Sequence, residues 1–93
     1  MADYDLPDDL IALRRAYLAA DAGLQAAGRA VPPHSAVAAG EANPATDDQR
    51  QAWWDAQREA REFAVAIQGH QWWATVDNRQ KAERALRDAA AQA

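Results

Sequence analysis

The sequence predicts an all-α domain, a three-helix antiparallel bundle that dimerisation could complete. Ala supplies 26 of the 93 residues, and Ala is the strongest helix former. Val, Ile, Thr, Phe and Tyr, which favour strands, are few and scattered. Apolar residues recur at spacings of three and four in three separate stretches, as helices with one buried face require. A chain of this length suits one core and not two. Residues 1–93 are therefore read as a single helical domain, with helices near 7–28, 47–69 and 71–91 and a Pro- and Gly-containing connection over 29–46.

The first helix opens at Pro7, whose fixed φ suits a first turn, and Asp8 and Asp9 complement the positive end of the helix dipole. Leu10, Leu13, Tyr17, Ala20, Leu24 and Ala27 then share one face, which makes Leu10, Leu13, Tyr17 and Leu24 core candidates. Gly28 reads as the C-terminal stop. Gly23 lies inside the helix at a cost of about 1 kcal/mol relative to Ala, which implies a close helix neighbour or a bend.

From Arg29 to Ala45 the periodicity is lost among Pro32, Pro33, Gly40 and Pro44. This is a long connection for a helix hairpin. It is read as a linker, with a bundle crossing or a binding loop as alternatives.

Thr46-Asp47-Asp48-Gln49 matches a capping box and opens the second helix. Its stripe is Trp53, Ala56, Ala60, Phe63 and Ile67, with Gly69 as terminator. Core candidates here are Trp53, Phe63 and Ile67. The third helix carries a looser stripe of Trp72, Val76, Ala82, Leu86 and Ala89, which adds Trp72, Val76 and Leu86 to the core. It is placed at 71–91; the alternatives are a cap at Asp77 with a helix from Asn78 and a separate turn over 72–76, or one helix running unbroken through Gly69.

The pairs Trp53-Trp54 and Trp72-Trp73 are the most informative feature. Successive helical residues point about 100° apart, so each pair sends one indole to the seam and the other elsewhere. Trp54 falls on a face with Arg58, Arg61 and Val65, and Trp73 on one with Asp77, Lys81 and Arg84. Trp and Arg dominate binding hot spots. Trp54, Trp73, Arg58, Arg61, Lys81 and Arg84 thus form the expected interaction surface. The competing reading is that Trp54 and Trp73 cap the bundle under Arg stems.

Composition narrows the function classes. About twenty large apolar side chains make a thin core, and the lack of Cys excludes disulfides and thiolate metal sites. Four Asp within Met1 to Leu10 oppose a signal peptide, and no apolar run approaches the roughly 18 residues of a membrane span. A cytoplasmic protein without a membrane partner is expected. His34 and His70 lack metal-ligand spacing to any partner, Ser35 has no oxyanion-hole motif, and no Gly-rich phosphate loop occurs. No enzyme activity, catalytic residue, metal or cofactor is expected.

The net charge of −4 gives no overall attraction to nucleic acid. Arg79, Lys81, Arg84 and Arg87 still leave a small DNA-binding regulator as an alternative. A small-molecule binder with a Trp-lined pocket is another.

The segment His70-Gln71-Trp72-Trp73-Ala74-Thr75-Val76-Asp77-Asn78-Arg79, with Lys81-Ala82, Ala85-Leu86 and the N-terminal Leu6-Pro7-Asp8-Asp9-Leu10, resembles small uncharacterised helical proteins of actinobacteria that carry a C-terminal Trp-Trp motif. The resemblance covers about a third of the chain and implies kinship without an activity, ligand or catalytic residue. The expectation for function is a non-enzymatic interaction or regulatory module that binds a protein partner or its own copy, with a homo-oligomer favoured.

Overall fold

The computed structural model describes residues 4–92, and no strand occurs among them. Helix α1 spans Asp8–Ala30. Pro7 precedes it in extended conformation, and its carbonyl accepts from the N–H groups of Leu10 and Ile11 at 3.1 Å each. The helix runs through Gly28, contrary to the stop expected there, and ends where Val31 turns extended. The reason is Pro32, whose ring drives the preceding residue out of the α region.

The connection is more ordered than its punctuation suggests. It contains a short helix α2, His34–Ala38, started by Pro33. Gly40 ends that segment at φ +75°, a left-handed conformation suited to Gly, and Glu41 N–H donates to the Ala36 carbonyl at 2.9 Å.

Helix α3, Asp47–Gln68, begins with the complete capping box. Gln49 N–H donates to Thr46 Oγ1 at 3.1 Å, and Thr46 N–H donates to Gln49 Oε1 at 2.9 Å. Gly69 ends the helix, and a Cβ there would lie 3.3 Å from the Val65 carbonyl oxygen.

A single helix over 71–91 does not form. A 3-10 turn at Gln71–Thr75 is followed by extended Val76, and α4 spans Arg79–Ala91. Side chains produce this break. His70 Nδ1 takes the Trp72 N–H at 3.1 Å, Thr75 Oγ1 donates to the Trp72 carbonyl at 2.7 Å, and Asn78 Oδ1 accepts Lys81 N–H at 3.1 Å as the new N-cap. The cap is thus Asn78 and not Asp77.

The three longer helices form an up-down-up bundle. Helix α3 returns antiparallel to α1, with Trp53 against Gly28 at one end and His70 bonded to Asp9 at the other. Helix α4 runs alongside α1 in the same direction. Tyr4 Oη donates to the Asn78 carbonyl at its start, while Arg15 donates to the Ala89, Ala90 and Gln92 carbonyls at its end.

Thirteen residues give α4 a length of about 20 Å, against about 34 Å for the 23 residues of α1. Only half of the hairpin is therefore a three-helix bundle. The large buried side chains gather in that half: Leu10, Ile67 and Leu86, ringed by Leu6, Ile11, Leu13, Tyr17, Trp72 and Trp73. Buried Ala60, Ala82 and Ala90 contribute small core surfaces. Leu24, Trp53, Phe63 and Val76, expected in the core, are only half-buried and lie outside the cluster. The first three belong to stretches of α1 and α3 that α4 does not seal, and Val76 sits in the extended link before α4. The molecule is 55 Å long and 21 to 23 Å across, with a radius of gyration of 17.6 Å where a compact chain of this length has about 12 Å.

Candidate functional site

The two Trp pairs differ in role. Within each, the rings meet edge to face, at 5.0 Å between centroids for Trp53-Trp54 and 5.1 Å for Trp72-Trp73. Trp54 is 58% exposed on α3, and neither indole of its pair has a hydrogen-bond partner among the described residues. Trp72 and Trp73 are half-buried and anchored. Trp72 Nε1 donates to the Asp5 carbonyl at 3.1 Å, and Trp73 Nε1 donates to the Ile67 carbonyl at 2.6 Å.

The outward placement expected of Trp73 is therefore incorrect. It assumed α-helical spacing, but in a 3-10 turn successive residues are about 120° apart and the relation to α4 is reset at Val76. Both indoles of this pair pack against the core, and Arg79 covers the Trp73 ring at 4.6 Å from its centroid.

The expected interaction residues do not assemble into one patch. Trp54, Arg58 and Arg61 lie on α3, all exposed, with Val65 beside them at 63% exposure. Arg58 pairs with Asp55 at 2.9 Å. Lys81 and Arg84 are exposed on α4, at the opposite half of the molecule from Trp54. Leu18, 40% exposed, lies on α1 one turn beyond the Arg15 that holds the end of α4.

A second feature was not legible as a site. Between α1, α3 and α4 lies a cleft of about 200 Å³ whose lining includes Arg14, Tyr17, Trp73, Arg79, Leu86 and Arg87. Arg14 sits over the Tyr17 ring at 5.2 Å. The spacing of Arg14 to Tyr17 hints at that stacking, but nothing in the sequence brings Arg87 to the same place. Lys81 and Arg84 do not line the cleft. The four cations of the last helix thus divide between two faces and form no continuous stripe.

His70 bridges two elements. Its Nε2 donates to Asp9 Oδ2 at 2.9 Å while Nδ1 accepts from the Trp72 backbone. The hydrogen bond from His70 is the largest influence on the Asp9 carboxyl and holds it below its ordinary range. His34 and Ser35 are exposed on α2. Among the described residues, no three His, Asp or Glu side chains are grouped to hold a metal ion, and no helix is long and apolar enough to cross a membrane.

A family model described as a domain of unknown function, DUF8825, matches residues 9–89. The chain belongs to the DUF8825 family. The match takes in both Trp pairs, the Asp9–His70 bridge and every cleft residue named above. No curated protein and no solved structure matches this DUF8825 chain.

Proposed function

We propose that the chain is a non-enzymatic interaction or regulatory module that associates with a second copy of itself through the exposed face of α3 bearing Trp54, Arg58, Arg61 and Val65, with Leu18 of α1 at its edge. The observation that supports this is an excess of uncovered surface. The chain exposes 6772 Å², whereas a compact monomer of 10.2 kDa exposes about 5,300 Å². The surplus of about 1,500 Å² falls within the range that obligate homodimers bury per partner. Among the described residues, Leu18, Trp54 and Val65 are the exposed large hydrophobic ones, and an indole flanked by guanidinium groups has the composition of a hot spot.

The face also carries both charge signs, Asp55 and Glu62 beside Arg58 and Arg61, which suits self-complementary packing. Trp73, Lys81 and Arg84 leave the proposed surface, because Trp73 is bonded into the fold and the other two lie on α4. The cations of α4, divided between two faces, do not favour DNA binding. A cytoplasmic setting and kinship with actinobacterial Trp-Trp proteins remain parts of this proposal. Their support is the Cys-free composition and the residue resemblance.

Light scattering after size exclusion tests the reading. The wild type should run as a dimer that dissociates on dilution, and Trp54→Ala should shift it towards monomer. A wild type that stays monomeric at about 100 μM, well above the micromolar range of ordinary specific pairs, would overturn it.

A further inference from the structure

The cleft between α1, α3 and α4 gathers positive charge on an otherwise acidic protein. Three guanidinium groups, those of Arg14, Arg79 and Arg87, line it together with Tyr17, Trp73 and Leu86. Glu83 also lines it and pairs with Arg79 at 3.2 Å. Arg14 and Arg87 have no ion-pair partner among the described residues. The chain as a whole carries a net −4, so two uncompensated cations in one concavity mark a local reversal of field that favours an anion.

The geometry adds preorganisation to charge. Arg14 stacks over Tyr17 at 5.2 Å, and Arg79 over Trp73 at 4.6 Å. A cation–π contact engages the ring without using up the guanidinium N–H donors, which stay available to an acceptor. Trp73 is itself fixed by its hydrogen bond to the Ile67 carbonyl. Arg14 and Arg79 are thus placed against aromatic rings, which lowers the ordering cost of binding a ligand at those two cations. Half-buried Tyr17 and Trp73 supply apolar surface beside the cations.

We infer that this cleft binds a small organic anion, a carboxylate or phosphate monoester carried on a flat apolar body. The anionic group would engage Arg14 and Arg87, and the body would lie against the accessible parts of Tyr17 and Trp73. A volume of about 200 Å³ limits that ligand to on the order of ten non-hydrogen atoms, since drug-sized ligands occupy roughly 300 Å³ or more. This site is independent of the self-association proposed above and is expected in monomer and dimer alike.

Titration of the full chain by ¹H–¹⁵N NMR tests it, with benzoate and phenyl phosphate as probes at matched ionic strength. Either probe should produce saturable shifts of the Trp73 indole N–H and the Arg14 and Arg87 Nε–H signals, with Kd of about 1 mM or tighter. Benzoate alone would assign a carboxylate site, and phenyl phosphate alone a phosphate site. Arg14→Gln and Arg87→Gln should each weaken binding about tenfold or more, while Arg84→Gln, outside the cleft, should bind as wild type. Should either Gln variant unfold, Arg14→Lys retains the charge and should still weaken binding through loss of the planar fork. Absence of saturation with both probes to about 10 mM would overturn the inference. So would equal binding of neutral benzyl alcohol, or of inorganic phosphate as tight as phenyl phosphate.

Discussion

His70 donates from Nε2 to Asp9 Oδ2 at 2.9 Å, across 61 residues of sequence. The contact joins the first turn of α1 to the second residue beyond α3, and the same imidazole caps the 3-10 turn through Nδ1. With Nδ1 accepting and Nε2 donating, a single neutral tautomer serves both bonds. One imidazole thus ties the start of α1 to the turn that carries Trp72 and Trp73, beside the bonds that Thr75 and the two indoles make themselves.

The pair makes stability depend on acid pH. Asp9 has a folded pKa below its unfolded value, so its contribution is present above the unfolded pKa of about 4 and is lost as pH falls through the folded value. Asp9→Asn should lower Tm at neutral pH and flatten the decline below pH of about 4. Thermal melts of both proteins over that range check this. Parallel curves displaced by a constant amount would remove the linkage.

Arg15 holds the end of α4 by donating to the carbonyls of Ala89, Ala90 and Gln92, the last at 2.8 Å. Those carbonyls belong to the last-turn acceptors that a helix cannot satisfy internally. Arg15→Ala should release the last turn of α4 and raise hydrogen exchange there, with α3 unchanged. Uniform protection along α4 would contradict it.

The core is concentrated at one end, so equivalent truncations should cost different amounts. Leu86 is 3% exposed within the main cluster, and Leu86→Ala should cost about 2 to 4 kcal/mol. Leu24 is half-buried outside it, and Leu24→Ala should cost about 1 kcal/mol. Urea unfolding of the two variants measures the difference. Equal losses would show that the distal half is packed as firmly as the proximal half.

Gly23 has nothing within 4 Å of the place a Cβ would occupy. Neither close packing nor a left-handed backbone requires glycine there. Gly23→Ala should stabilise the protein by roughly 0.5 to 1 kcal/mol through helix propensity and the unfolded chain. A loss of stability that grows with protein concentration would indicate that a partner helix approaches this position.

Local signals in the sequence carried much of the architecture. The spacing in α1 and α3, the acidic first turns and the capping box at Thr46 and Gln49 depend on interactions within a few residues, and such interactions leave a pattern in the chain. The all-α class follows from the same local terms. Where two local signals compete, periodicity alone misplaces the boundary. Pro32 overrode Gly28 as the determinant of the end of α1, and Asn78 with His70 divided the last helical stretch.

Tertiary structure decided the fate of the Trp pairs. Periodicity separates the two indoles of a pair only while the helix continues, and the 3-10 turn turned Trp73 into the core, where the Ile67 carbonyl accepts its N–H. Trp54 stays outside because α3 is unbroken around it and α4 is too short to reach it. The meeting of Arg14 with Arg87 likewise required α4 to lie along α1, a long-range packing outcome that no local spacing encodes. The sequence by itself determined which residues could become helix and which faces were apolar, because those are properties of neighbours three and four apart. Only the folded chain determined which indole remained exposed and which arginines converged.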